Sequence, residues 1–118
     1  MTEEKKRVLK ERMSALHDKY CKQLPNKYNE IQDSWQQYQT DFNNPVYIEE
    51  FYRLIHTLKG TAATFGFVKQ ADICFDIQKE LLETKKGPSA LSTNAVKAIQ
   101  QHLADLKASI SAPAKAPD

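Results

Sequence analysis

Apolar side chains recur at alternating intervals of three and four residues along most of the chain, which is the pattern of helices that bury one face. The first stripe runs through Leu9, Met13, Leu16, Tyr20, Leu24, Tyr28, Ile31, Trp35 and Tyr38. Pro25 interrupts it. An internal proline removes an amide and clashes with the preceding turn, so a kinked helix or a division into two helices is expected there. Asn43-Asn44-Pro45 reads as a restart, with Asn44 as N-cap and Pro45 in the first turn. A second stripe, Phe51, Ile55, Leu58, Ala62 and Phe65, ends at Gly66. A third comprises Val68, Ala71, Cys74, Phe75, Gln78, Leu81 and Leu82, and closes at Lys85-Lys86-Gly87-Pro88 with cations near the helix C-terminus. Ser92 is placed to cap a last helix whose stripe is Val96, Ile99, Leu103, Leu106 and Ile110. No segment alternates with a period of two over a useful length, so no sheet is expected. Short connections make neighbouring helices antiparallel. The expected fold is all-α: an antiparallel four-helix bundle with an additional or kinked N-terminal helix.

Composition narrows the class without naming a function. The 118 residues suit one domain, placed at residues 1–110. A net charge of +2 is too small to argue for nucleic acid or a membrane surface. No apolar run approaches the roughly 18 residues a membrane span needs, and the charged start Met1-Thr2-Glu3-Glu4-Lys5-Lys6-Arg7 has no apolar segment behind it. Two cysteines, Cys21 and Cys74, are too few for a disulfide framework and read as reduced thiols of a cytoplasmic protein. Residues 111–118 are rich in Ala and Pro. They read either as a linker, which would make the chain part of a longer multidomain protein, or as a frayed tail.

One residue is hard to explain by packing. His56 sits within the second helical pattern but off its apolar stripe. Tyr52, His56, Lys59, Gly60 and Ala63 are three or four apart and share a second face. Glycine inside a helix costs about 1 kcal/mol relative to alanine, so Gly60 reflects either the close approach of another helix or room beside the imidazole. A phosphoryl group carries close to two negative charges near neutral pH. Lys59 would stabilise one at that spot, although the spacing alone fits an ordinary solvated lysine equally well. Gln78 lies on the third apolar stripe, where a buried amide must find partners. With the turn centred near Phe67, His56 lies 11 residues before it and Gln78 11 after. In an antiparallel pair the two then sit at one height. Gln78 is thereby placed to bond one imidazole nitrogen and leave the other as nucleophile; satisfying a backbone group or reaching solvent are its other options.

The run His56-Thr57-Leu58-Lys59-Gly60-Thr61-Ala62-Ala63-Thr64-Phe65-Gly66 resembles the signature of histidine-containing phosphotransfer (HPt) domains. That signature is His, any residue, a branched apolar residue, Lys, Gly, any residue, Ala or Ser, two variable residues, a large apolar residue and Gly. The helical layout extends the likeness over roughly residues 1–110, and Gln78 fills a place, 22 positions after the histidine, where several members carry Gln or Glu. A much weaker likeness, over residues 23–35, is to HPt domains placed ahead of receiver and diguanylate cyclase modules. The resemblance implies a carrier in a two-component phosphorelay, with no kinase activity or nucleotide site of its own. His56 would be the phosphoacceptor, Lys59 would stabilise the phosphoryl group, Gly60 would give access and Gln78 would orient the ring. A receiver domain would dock over Tyr52, Gly60, Ala63, Thr64 and an exposed Phe67. The implied partners are receiver domains and sensor histidine kinases, with no cofactor in this chain and magnesium in the receiver.

The remaining signals are bland. His17 and His102 flank apolar seams without a following Lys-Gly pair, and Trp35 and Cys74 read as core. Cys21 and His17 are four apart, but no second ligand pair accompanies them, so no metal site is expected. Two rival readings remain: a helical module that docks receivers or kinases without carrying phosphate, and a true histidine kinase. The residues after His56 lack the acidic residue and Thr-Pro turn usual in dimerising kinase helices. Dimerisation through the long first segment is left open.

Overall fold

A computed structural model describes residues 2–85 and 91–111. It contains four helices and, among the described residues, no strand: α1 (Glu3–Thr40), α2 (Pro45–Thr64), α3 (Val68–Lys85) and α4 (Thr93–Ser111). Each helix packs against two others, α1 and α3 both lying between α2 and α4. The antiparallel four-helix bundle is thus observed. The predicted basic helix end at Lys86-Gly87-Pro88 and the Ala/Pro tail from residue 112 lie outside the described residues.

Local chemistry explains the helix ends. Thr2 caps α1, its Oγ1 accepting from the Lys5 amide at 3.2 Å, with Glu3 and Glu4 complementing the dipole of the first turn. Asn44 caps α2 by accepting from the Val46 amide at 3.0 Å, and Pro45 follows it. Ser92 caps α4, its Oγ accepting from the Ala95 amide at 3.1 Å. At the end of α2, Gly66 adopts φ 81°; its amide donates to the Ala63 carbonyl at 3.2 Å and the Phe67 amide to the Ala62 carbonyl at 2.8 Å. This is a complete Schellman turn, and its left-handed position suits glycine because no Cβ collides there.

Two expectations are refined. First, of the kink or division expected at Pro25, the division does not occur: α1 runs unbroken through the proline. Proline removes the amide that would bond the Cys21 carbonyl. Yet Tyr20 and Leu24 on one side and Ile31, Trp35 and Tyr38 on the other are buried in the same core, which keeps both halves helical. The apolar seam of α1 is also shorter than its sequence pattern. It is buried from Tyr20 onward, whereas Leu9, Met13 and Leu16 are 47, 46 and 49% exposed. The reason is length: the 38 residues of α1 span about 57 Å, while the 20 of α2 span about 30 Å. The first turns of α1 therefore outrun the other helices, and the longest dimension of the molecule is 56 Å.

Second, the buried face of α3 is rotated from the predicted stripe. Cys74, Gln78 and Leu81 are inside as expected and Ala71 is half-buried, but Gln70, Ile73 and Ile77 join them, while Val68, Phe75 and Leu82 face out. Spacings of three and four around Cys74 and Leu81 fit two overlapping stripes. Packing between α2 and α4 selects the one carrying the isoleucines. On α2, Phe51, Ile55, Leu58 and Ala62 are buried and Phe65 half-buried. On α4, Ile99, Leu103 and Leu106 are buried, with Val96 and Ile110 half-buried.

The core joins an aromatic cluster of Trp35, Tyr38 and Phe51, where Trp35 and Phe51 centroids lie 5.2 Å apart, to the aliphatic faces of α3 and α4. Near the α2–α3 turn, the buried Tyr20 hydroxyl donates to Gln70 Oε1 at 2.9 Å, tying α1 to α3. Cys74 is a buried free thiol and Cys21 a half-buried one. No described helix is long and apolar enough to cross a membrane. The split of α1 into a packed and an overhanging part predicts unequal mutational costs along one stripe. Ile31→Ala should destabilise by about 2–5 kcal/mol, and Leu9→Ala by less than about 0.5 kcal/mol. Urea unfolding of the two variants checks this.

Candidate functional site

The site is built on the face of α2 that the core does not use. Phe51, Ile55, Leu58 and Ala62 point inward, so His56, one residue past Ile55 and about 100° around the helix, is exposed on the shoulder toward α3. Gln78 stands on the packed face of α3 at 3% exposure, a polar group among Cys74, Ile77 and Leu81. Its Nε2 lies 2.9 Å from His56 Nδ1. The equal-height argument from sequence is thus realised as a direct contact. It also resolves why a glutamine sits in the core: the imidazole is its partner. Tyr52, one turn earlier on α2, stacks against the imidazole with planes 6° apart and centroids 6.1 Å apart. The ring is held at one nitrogen and along one face, and Nε2 has no hydrogen-bond partner among the described residues.

The amide can present either of its ends to Nδ1, and the choice sets the chemistry. With Nε2 of Gln78 donating, Nδ1 must be the bare nitrogen and the ring proton sits on His56 Nε2. With the amide turned over, Gln78 Oε1 accepts from Nδ1–H and the lone pair of His56 Nε2 is free. The second arrangement is the nucleophilic one, and it needs no movement beyond a half-turn of the amide.

Lys59 follows one turn after His56. Its Nζ lies over the ring of Phe75 on α3, 5.6 Å from the centroid, and it has no carboxylate partner among the described residues. Burial pushes the Cys74 thiol up to about 12, and the nearby Lys59 charge acts against that rise. Gly60 is exposed, and a Cβ there would meet nothing within 4 Å. That excludes close helix packing as the reason for the glycine and leaves open space beside the imidazole. Thr64 is exposed, with its hydroxyl donating to the Gly60 carbonyl at 2.9 Å, and Ala63 is exposed beside it.

Phe67 departs from expectation. It is half-buried instead of exposed, stacked on His17 at 5.3 Å and equally close to Tyr20. It belongs to the turn, about 16 Å along the helix axis from His56, where α1 passes over the end of the α2–α3 pair and takes up the ring. His17, read as bland from sequence, is thereby a packing residue. The residue that sequence reasoning missed is Phe75, placed on the buried stripe but 50% exposed and covering Lys59. The same counting around Phe67 that pairs His56 with Gln78 also pairs Lys59 with Phe75, so the signal was present. Among the described residues no cluster of three His, Cys, Asp or Glu side chains is arranged to hold a metal ion.

A four-helix bundle carrying an exposed, ring-oriented histidine with Lys-Gly one turn on defines a class of helical phosphotransfer proteins. The family model described as Hpt domain matches residues 9–109, and the chain belongs to that family. Neither the curated proteins nor the solved structures give a significant match. Hpt domains serve histidine phosphotransfer in two-component signalling, as carriers and not as kinases, and interact with receiver domains and kinases.

The empty space at Gly60 generates a direct test of its role. Gly60→Ala should raise stability by about 1 kcal/mol, the helix-propensity gain alone, because nothing in the fold obstructs the methyl group. Thermal and urea unfolding read this out. A loss of stability would show that the glycine serves packing.

Proposed function

We propose that this domain carries a phosphoryl group on His56 Nε2, accepting it from a receiver aspartyl phosphate or a kinase and returning it to a receiver aspartate. The observation that supports this most strongly is the 2.9 Å approach of the buried Gln78 amide to Nδ1 of an otherwise exposed histidine. Orienting a solvent-facing ring from the core does little for packing and much for nucleophilic attack.

In the forward step the Nε2 lone pair forms the N–P bond while the P–O bond to the receiver carboxylate breaks, and the carboxylate leaves with that electron pair. The ring keeps its proton on Nδ1, where Gln78 Oε1 accepts it and supports the positive charge that develops on the imidazole. Lys59, free of any carboxylate among the described residues, offers its charge to the phosphoryl oxygens. Gly60, Ala63 and Thr64 present a low surface beside the histidine, and with Tyr52 they form the face on which a receiver would dock; Phe67 lies at its margin. The domain supplies nucleophile, orientation and one cation, and the magnesium belongs to the receiver. With such partners its place is the cytoplasm.

Incubation with a phosphorylated receiver domain tests the proposal. The wild-type domain should gain acid-labile, alkali-stable label, and His56→Gln should gain none. ATP alone should label neither. Label that persists in His56→Gln would overturn the assignment, and a folded domain that never takes label would favour a docking module instead. Lys59→Met removes a charge-assisted contact of about 1.5–3 kcal/mol. It should slow transfer by roughly ten- to a hundred-fold, measured by rapid quench.

Gln78→Leu tests the orienting role separately. A lost hydrogen bond of about 0.5–1.5 kcal/mol should slow transfer by roughly two- to ten-fold. Nitrogen-15 spectra of the imidazole should show the proton redistributed between Nδ1 and Nε2. An unchanged tautomer ratio would remove Gln78 from the mechanism.

A further inference from the structure

Phe75 is half exposed on α3, yet two cations approach its ring. Lys59 reaches it across the groove from α2, with Nζ 5.6 Å from the ring centroid. Lys79, one turn along α3, approaches the same ring at 5.0 Å and is itself paired with Asp76 at 3.4 Å. Lys59 and Phe75 lie eight residues on either side of Phe67, as His56 and Gln78 lie eleven on either side. Two cross-helix pairs therefore stack along one groove, about 4.5 Å apart along the helix axes. One holds the imidazole and the other holds the cation.

We propose that Phe75 is a positioning residue for phosphotransfer, acting through Lys59 as an aromatic seat for its ammonium group. This deepens the reading of His56 as phosphoacceptor and rests on it. The choice of an aromatic residue has a physical logic. A carboxylate at this place would hold the ammonium but neutralise it. Open solvent would leave the four-carbon stem free to turn away, and closing it onto a phosphoryl group would then cost side-chain entropy. The face of a phenyl ring holds the cation weakly and brings no counter-charge. The charge stays whole, one turn from the imidazole, and is released easily to a dianion. Lys79 differs from Lys59 in being paired with a carboxylate, Asp76, which offsets part of its charge.

Potassium phosphoramidate is a suitable donor because it needs no partner protein. His56 Nε2 forms the new N–P bond, the donor's own P–N bond breaks, and ammonia leaves with that electron pair. Labelling rates are compared for the wild type, Phe75→Leu, Phe75→Trp, Lys59→Met and the Phe75→Leu/Lys59→Met pair, after subtracting label found in His56→Gln. Phe75→Leu should label about two- to five-fold more slowly, the rate equivalent of an exposed cation–π contact. Phe75→Trp should retain the wild-type rate or exceed it. In the Lys59→Met background Phe75→Leu should have no further effect, because the two act as one unit. Proton spectra of the unphosphorylated protein supply the second readout. The Lys59 Hε resonance should be shifted upfield by the ring current in the wild type and in Phe75→Trp, and should lose that shift in Phe75→Leu. An unshifted wild-type resonance, equal rates for wild type and Phe75→Leu, or an undiminished loss in the Lys59→Met background each overturns the inference. A wild-type domain that takes label from neither phosphoramidate nor a phosphorylated receiver overturns the phosphoacceptor reading and this inference with it. A labelled wild type indifferent to Phe75 overturns this inference alone.

Discussion

The α2–α3 turn is the constraint from which the rest of the site follows. Gly66 reverses the chain in a single left-handed residue, and the amides of Gly66 and Phe67 close onto α2 carbonyls. With so short a connection the two helices have no freedom to slide, since an axial shift of one residue would have to be absorbed by a turn already fully hydrogen-bonded. Register is therefore set at the turn and transmitted along rigid helices to positions eight and eleven residues away. Lys59 meets Phe75, and His56 meets Gln78.

That register allows a polar residue to be kept in the core. Gln78 is almost fully buried, and an unpaired buried amide would cost about 1–3 kcal/mol. Its partner is a side chain that is itself open to solvent. The hydrogen bond thus connects the packed interior to the exposed imidazole, which takes its orientation from packed helices instead of from a loop. Gly60 shows the complementary trade. It weakens the helix at a place where the fold has ample room for a side chain, and it leaves the surface beside His56 open at a cost in helix stability.

α1 divides its labour along its length. From Tyr20 to Tyr38 it supplies much of the aromatic core, and at its middle it closes the turn end of the bundle. There His17 and Tyr20 pack on Phe65 and Phe67, and the Tyr20 hydroxyl reaches Gln70. These contacts half-bury Phe67 and give it a structural role at the turn end of the bundle. Before His17 the helix continues as a single overhanging arm with Leu9, Met13 and Leu16 open.

Much of this was legible in the sequence. The all-helical class, the caps at Asn44 and Ser92, the turn at Gly66 and the outward placement of His56 all follow from local rules, because capping, left-handed glycine and three-four periodicity depend on near neighbours. The His56–Gln78 contact was also legible, since a short turn converts sequence distance into height. Tertiary structure alone decided three things. It decided which of two overlapping stripes of α3 is buried, because Ile73 and Phe75 are equally apolar and only packing between α2 and α4 separates them. It decided that α1 passes through Pro25 unbroken, because contacts on both sides of the proline outweigh its local cost. It decided where the apolar stripe of α1 ceases to be core, because burial ends where the partner helices end. Periodicity reports which faces of a helix can be buried, and only the assembled neighbours determine which of them are.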